Sequence, residues 1–328
     1  MRDDAILDNF VVYPLLIATC YMLYLKNVLS KIKKHLRSET QFNQFSCIDL
    51  RNEPMGPMQA YYEFNNRPCI INTDPEHCRW FGASGLSYSK DSLHPYICTL
   101  ADYQNNGHST YKDSYLEWYW NTWQPSNLAE YFRIHAEPVH SQLLNTPPIH
   151  NISPWSPSHS ISYMQKKGWL NRKDYRALCE SGSIPARSCG PKPDWFGAER
   201  FKNLISVYKS IKLNGYCEKP PETVPFGDQH LVGKCMVRSG EVRVLIANGQ
   251  HRASSLVTLG YEKLPVIFFT QNNRGPDIIR KEDVVSWPLV QKGIFTKEQG
   301  LSIFDHIFDG IPPREIVNSI IPSRFVKI

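Results

Sequence analysis

The most informative stretch of this chain runs from residue 242 to residue 269 and reads VRVLIANGQHRASSLVTLGYEKLPVIFF. Branched apolar residues occupy every second position at its start, which predicts a β-strand with at least one buried face. From His251 onward the apolar residues take helical spacing, and Gly260 provides an end for a short helix. Residues 264–269 predict a further strand. The predicted order is therefore strand, tight turn, helix and strand, with residues 249–252 at the turn.

The turn at residues 249–252 comes directly before the N-terminus of the predicted helix. The first backbone N–H groups of a helix have no internal partners, and the helix dipole is positive there. Gly249 lets an anion come close to the backbone, and the Arg252 guanidinium can bind it through two hydrogen bonds. The pattern indicates either a phosphate or nucleotide site, or an ordinary turn whose His251 and Arg252 side chains face solvent.

The composition is that of a folded protein, with 41% hydrophobic and 21% charged residues in a chain of 328. This length is sufficient for a sizeable core and is typical of two domains. The nine cysteines include no Cys-x-x-Cys pair, which argues against a zinc ribbon, and their odd number argues against a disulfide framework. Scattered single thiols suit a reducing compartment, so we expect a cytoplasmic protein.

The net charge of +6 comes largely from one basic segment, because five of the positive charges lie between residues 26 and 37. The near-neutral remainder argues against a nucleic-acid partner. The preceding run, residues 10–25, is almost continuously apolar but shorter than the roughly 20 residues that span a bilayer. Residues 10–36 therefore predict either a membrane contact at the inner face of a membrane or a buried first helix of the globular domain.

The region from residue 39 to residue 160 is mixed in character, and its fold is less well defined by the sequence. Residues 67–71 predict a short strand. The aromatic residues concentrated between Tyr111 and Trp123 predict a core or an interface rather than a platform for sugars or bases. Four histidines among prolines between residues 133 and 159 indicate a linker or an extended wrapping segment, and their spacing matches no metal-ligand pattern.

An amphipathic helix is predicted over residues 198–213 and is followed by the helix-ending pair Asn214-Gly215. The helix has the form Glu-Arg-Phe-x-x-Leu-x-x-x-x-x-Ser-Ile-x-x-Asn-Gly, and a Pro-Pro segment, a strand and the box Asn-Gly-Gln-His-Arg-Ala come after it. This arrangement, over residues 193–269, resembles the ParB/sulfiredoxin superfamily. The resemblance covers about a quarter of the chain.

The resemblance implies that ATP or another nucleotide, with Mg²⁺, binds at the box. It implies catalytic roles for Glu199 and His251. The cofactor-binding residues that it implies are Asn248, Gly249, Gln250, His251, Arg252 and Arg200. Two departures narrow the chemistry: Gln250 replaces the cysteine that sulfiredoxin chemistry needs, and Asn248 replaces an aspartate common in kinase-like relatives, which weakens a metal or general-base role there.

The fold class that we predict is α+β, with a ParB/sulfiredoxin-like mixed sheet and helices, a less defined N-terminal α/β region and a C-terminal helix. That last helix is marked by a capping box at Thr296 and Gln299 and is expected to run to Phe308. The predicted segments are an N-terminal helix (1–38), a domain of unknown type (39–160), a linker (161–192), the ParB/sulfiredoxin-like domain (193–270) and a helical extension (271–328).

Three functions are consistent with the resemblance. The first is a phosphotransferase that uses a nucleotide and acts on a small hydroxyl substrate, with Glu199 or Asp228 as base or metal ligand. The second is a non-catalytic module that senses or interacts through a nucleotide. The third, a DNA-binding or nuclease protein, is disfavoured by the charge distribution.

Overall fold

The structure is a computed structural model that describes residues 47–135, 137–148, 152–158, 188–216, 230–270, 276–322 and 325. The apolar N-terminal segment, the Pro-Pro segment at Pro220 and Pro221, and Asp228 all lie outside these residues, as do His150 and His159. No helix in the described part of the chain combines the length and the apolar composition that crossing a bilayer requires.

The described strands form one mixed seven-stranded sheet. They are β1 (Ile48–Asp49), β2 (Cys69–Thr73), β3 (Cys78–Trp80), β4 (Leu231–Arg238), β5 (Glu241–Asn248), β6 (Leu264–Phe268) and β7 (Ile278–Arg280). The order across the sheet is β1-β2-β6-β4-β5-β3, and β7 pairs with the C-terminal half of β4. The pairs β2–β6 and β4–β5 are antiparallel, while β1–β2, β3–β5, β4–β6 and β4–β7 are parallel.

The described helices surround this sheet. They are α1 (Pro57–Glu63), α2 (Pro95–Asn106), α3 (Tyr115–Thr122), α4 (Leu128–Tyr131), α5 (Ser141–Asn145), α6 (Asp194–Asn214), α7 (Gln250–Thr258), α8 (Pro288–Gln291), α9 (Lys297–Asp309) and α10 (Arg314–Asn318), with 3-10 turns at Pro75–His77 and Lys281–Ser286. The predicted α+β class with a mixed sheet is confirmed.

Strands from both predicted regions share the sheet, because β2 and β3 precede residue 160 and pair with β6 and β5, which follow residue 230, while β1 pairs with β2. The hairpin between β4 and β5 has a two-residue turn, Ser239-Gly240, with positive φ at both residues (50° and 86°). Such a turn matches the right-handed twist of paired strands. It places the start of β4 beside the end of β5, where the sequence predicts the anion site.

The predicted helix before the box is confirmed as α6, but it begins at Asp194, four residues before the predicted start. Pro193 occupies its N-cap, and Gly197 lies so close to Tyr111 that an added Cβ would be 2.1 Å from the tyrosine Cζ. The helix ends at Gly215 as predicted. The predicted strand at 67–71 is shifted to Cys69–Thr73, since Pro68 has no N–H to donate to a neighbouring strand.

The predicted aromatic core is confirmed, since Tyr115, Tyr119, Trp120 and Trp123 are all buried. The capping box is also confirmed: Thr296 Oγ1 accepts from Gln299 N (3.1 Å), and Gln299 Oε1 accepts from Thr296 N (3.0 Å). Within the proline-rich segment, which was predicted to be extended, residues 141–145 form the short helix α5. His140 Nδ1 caps that helix by accepting from Gln142 N (3.1 Å).

Candidate functional site

The candidate site lies where β5 passes into α7, at a glycine that no other residue can replace without strain. Gly249 adopts the left-handed conformation (φ 81°, ψ 23°). An added Cβ would lie 2.7 Å from Leu231 Cδ2 and 3.0 Å from the His230 carbonyl oxygen, both at the start of β4. The positive φ and the close approach each require glycine, so the turn packs tightly against the start of β4.

The N-terminus of α7 has no side-chain cap within the described residues. Ala253 N donates to Gly249 O (2.9 Å), which is the first hydrogen bond of the helix. No side chain caps this end; the Asn248 Oδ1 atom accepts instead from Gly249 N (2.9 Å), one residue before the helix. The first turn contains no acidic residue. The backbone N–H groups of this turn have no acceptor within the helix, and the dipole adds a partial positive charge.

Arg252 differs from the buried arginines that support the fold. Arg79 Nε donates to Phe308 O (3.0 Å), and Arg133 donates to the carbonyls of Ala83, Ile311 and Pro312. Arg252 is partly buried, and the described residues provide no hydrogen bond or ion pair for its guanidinium, whose Nε is buried without an acceptor. A buried donor without an acceptor is destabilising. An anion at the start of α7 would supply that acceptor.

His251 contacts a residue far away in the sequence. Its ring lies against Tyr96, with the ring centroids 4.7 Å apart and the planes at 79°. Tyr96 is in the first turn of α2, and its N–H donates to His94 Nδ1 (3.3 Å). The N-terminal ends of α2 and α7 therefore meet at the His251 ring. The sequence analysis missed Tyr96 and His94: the pair His94-Pro95 signals a helix start, but no local pattern indicates what that start contacts.

His94 brings a buried neutral group close to the site. It is fully buried beside Trp80 and Tyr88, with ring centroids 4.8 and 4.4 Å away. Burial lowers the pKa of His94 to about 3, and the nearby charge of His251 acts in the same direction. His94 is therefore neutral at physiological pH and does not compete with Arg252 for an anion.

The structure brings residues 248–252 together, and α6 packs against α7, but no hydrogen bond, ion pair or ring contact within the part it describes joins these residues to Glu199 or Arg200. Glu199 is exposed, and the Arg200 guanidinium lies over the Phe196 ring, with 5.0 Å between Cζ and the centroid. The ring of Phe201 contacts His108, which follows the C-terminal end of α2.

The box and the pair Glu199 and Arg200 thus lie toward opposite ends of α2. His251 contacts Tyr96 at the N-terminal end, and roughly 15 Å of helix separates Tyr96 from Asn106 at the other end, since a helix rises about 1.5 Å per residue. Glu199 and Arg200, beside Phe201, lie toward that second end. The described residues also contain no group of three or more His, Cys, Asp or Glu side chains that could hold a metal ion.

Comparisons of the chain with protein-family models, with characterised proteins and with solved structures gave no match. The resemblance to the ParB/sulfiredoxin superfamily therefore rests on the helix and box motifs alone. At the box itself the structure shows a left-handed glycine, a helix N-terminus without a side-chain cap and an arginine whose guanidinium has no acceptor in the described part of the chain.

Proposed function

We propose that this chain is a nucleotide-binding protein that holds a phosphate group of ATP or another nucleotide at the N-terminus of α7. The observation that carries the proposal is the Arg252 guanidinium, which lies one helical turn from Gly249 and has no acceptor in the described part of the chain. Backbone N–H groups approach the phosphate from the turn, and Arg252 binds it from the side. Mg²⁺ arrives with the nucleotide, on its phosphate oxygens.

The contribution of Arg252 can be bounded. A hydrogen bond to a charged group contributes about 1.5–3 kcal/mol. Since 1.4 kcal/mol corresponds to a factor of ten in affinity, loss of Arg252 is expected to weaken nucleotide binding by roughly 10- to 150-fold. The helix N-terminus remains in the variant, so weak binding that decreases with salt is expected to persist.

The proposal is tested by thermal-shift measurements on the full chain with ATP, ADP, CTP and GTP in the presence of Mg²⁺. A nucleotide at 100 times its Kd stabilises the folded protein by about 2.7 kcal/mol, which is readily detected. At the same ligand concentration a 10- to 150-fold weaker Kd leaves the Arg252→Ala variant only about 0.3–1.4 kcal/mol of this stabilisation, so its thermal shift is expected to be clearly smaller than that of the wild type. Arg252→Lys retains the charge but not the two-pronged geometry and is expected to be intermediate.

Arg314→Ala provides the matched control, because Arg314 is an exposed arginine at the start of α10. It is expected to bind nucleotide as the wild type does. Arg200→Ala separately tests the role that the sequence resemblance implies for that residue. If no nucleotide raises the melting temperature of the wild type, or if Arg252→Ala shifts as much as Arg314→Ala, the proposed site is refuted.

The phosphotransferase hypothesis extends this proposal and is tested on the same samples. Release of ADP that depends on an added small-molecule extract would support transfer to a hydroxyl substrate, and Glu199→Gln separately tests the base role that the sequence resemblance implies for Glu199. Nucleotide binding without such release would support the sensing or interaction module.

A further inference from the structure

The N-terminal end of α2 provides a fixed wall beside the box. Tyr96 is 2% exposed and packs against both Trp80 and His94, with ring centroids 5.3 and 5.8 Å away. Its backbone N–H is held by His94 Nδ1, and Pro95 fixes the backbone at the preceding position. A ring enclosed in this way has one orientation, so whatever packs against it is also restricted.

His251 is the residue that packs against this wall from the site. It is the second residue of α7 and is only partly buried. The Tyr96 contact, at 4.7 Å and 79°, has the edge-to-face geometry that aromatic pairs prefer. The backbone of His251 is also anchored, since Ser255 Oγ donates to its carbonyl oxygen (2.8 Å).

We infer that Tyr96 is a positioning residue for the phosphate site: it holds the His251 imidazole in one orientation beside the N-terminus of α7 before any ligand arrives. The inference rests on the proposed function and adds a part of the site that lies outside the box. A side chain ordered in advance does not have to be ordered on binding, which increases affinity.

The first experiment needs no variant. In nuclear Overhauser spectra of the ligand-free wild type, ring protons of Tyr96 are expected to show cross-peaks to the imidazole C–H protons of His251, because the two rings are in contact. Absence of these cross-peaks in a folded sample would overturn the inference, whether or not nucleotide binds.

The second experiment compares Tyr96→Leu with Tyr96→Phe. The aromatic ring current shifts the His251 imidazole signals, so these signals are expected to move in Tyr96→Leu and to stay near their wild-type positions in Tyr96→Phe. The Kd for ATP with Mg²⁺ is expected to rise by about 2- to 12-fold in Tyr96→Leu, which corresponds to ordering one side chain, and to be restored in Tyr96→Phe.

A double-mutant cycle separates positioning from general damage. If Tyr96 acts through His251, then Tyr96→Leu causes no further loss of affinity in a His251→Ala background. An equal loss in both backgrounds would overturn the inference. A wild type that shows the Tyr96–His251 cross-peaks but binds no nucleotide would refute the proposed function instead, and with it any effect of Tyr96 on affinity, so the two failures are distinguishable.

Discussion

Replacing Gly249 with alanine is expected to destabilise the protein through two separable effects. The left-handed backbone (φ 81°) is unfavourable for an L-residue by about 1–2 kcal/mol. The new Cβ would also lie 2.7 Å from Leu231 Cδ2 and 3.0 Å from the His230 carbonyl oxygen. Because one of these neighbours is backbone, it cannot move aside as a flexible side chain does, and overpacking of this kind is typically destabilising by about 1–3 kcal/mol. The total is about 2–5 kcal/mol.

Gly240→Ala is the matched control for this prediction. Gly240 has nearly the same φ (86°), but no atom lies within 4 Å of the position its Cβ would take. It therefore shows the backbone effect alone, about 1–2 kcal/mol. Urea unfolding followed by circular dichroism, at constant temperature and pH, measures both variants against the wild type.

The difference in the free energy of unfolding between the two variants measures the crowding around Gly249. Gly249→Ala is expected to be the less stable of the two by about 1–3 kcal/mol. Equal destabilisation would show that the start of β4 does not crowd Gly249, and the compact turn inferred for the phosphate site would then be wrong. Nucleotide binding by whatever folded Gly249→Ala protein remains is expected to be weaker, since the turn that carries the backbone N–H groups must shift to relieve the contact with Leu231 and His230.

Three further predictions concern residues around the core. Arg133→Ala should lower the free energy of unfolding by about 2–4 kcal/mol because three carbonyls lose their donor, whereas Arg252→Ala should not lower it, because no described residue accepts from its guanidinium and the cost of its unpaired Nε is removed; equal losses in urea unfolding would contradict the contrast drawn between them. Below pH 6.5 the unfolded chain binds a proton at His94, whereas the folded protein does not bind one there until about pH 3. On acidification the free energy of unfolding should therefore fall by about 1.4 kcal/mol per pH unit relative to His94→Asn, which keeps a capping side chain. Parallel pH profiles of the two proteins would refute this. Mass spectrometry after treatment with a thiol reagent at pH 8 should find no modification in the native protein at the buried cysteines whose pKa burial raises, namely Cys47, Cys69, Cys78, Cys98 and Cys235.

The local elements around the box could be predicted because their signals are local. The alternation before Asn248, the glycine at 249 and the helical spacing from His251 each act over a few residues, and β5, α7 and β6 follow them closely. The start of α6 was predicted four residues late because the apolar pattern was followed from Ala198, while Pro193 and Asp194 carry the actual start signal.

The wall of the site could not be predicted, because it depends on contacts between distant parts of the chain. Tyr96 and His251 are brought together by the packing of α2 against α7, and neither sequence neighbourhood specifies the other. The pairing of Arg252 likewise depends on tertiary packing. The sequence shows only that a guanidinium is present, and the packing shows that no described residue pairs with it. The placement of Glu199 and Arg200 toward the far end of α2 has the same origin.

The pairing of β2 with β6 has a consequence for how the protein is made. Cys69 pairs with Phe268, so about 200 residues must be synthesised after β2 before its partner strand exists. At about 5–20 residues per second, β2 waits roughly 10–40 s on the ribosome with the apolar side chains of Ile70 and Ile71 unpaired. The nascent chain is therefore a candidate client for chaperones that shield apolar strands during translation, and the sheet that carries the box can close only after β6 and β7 have been synthesised.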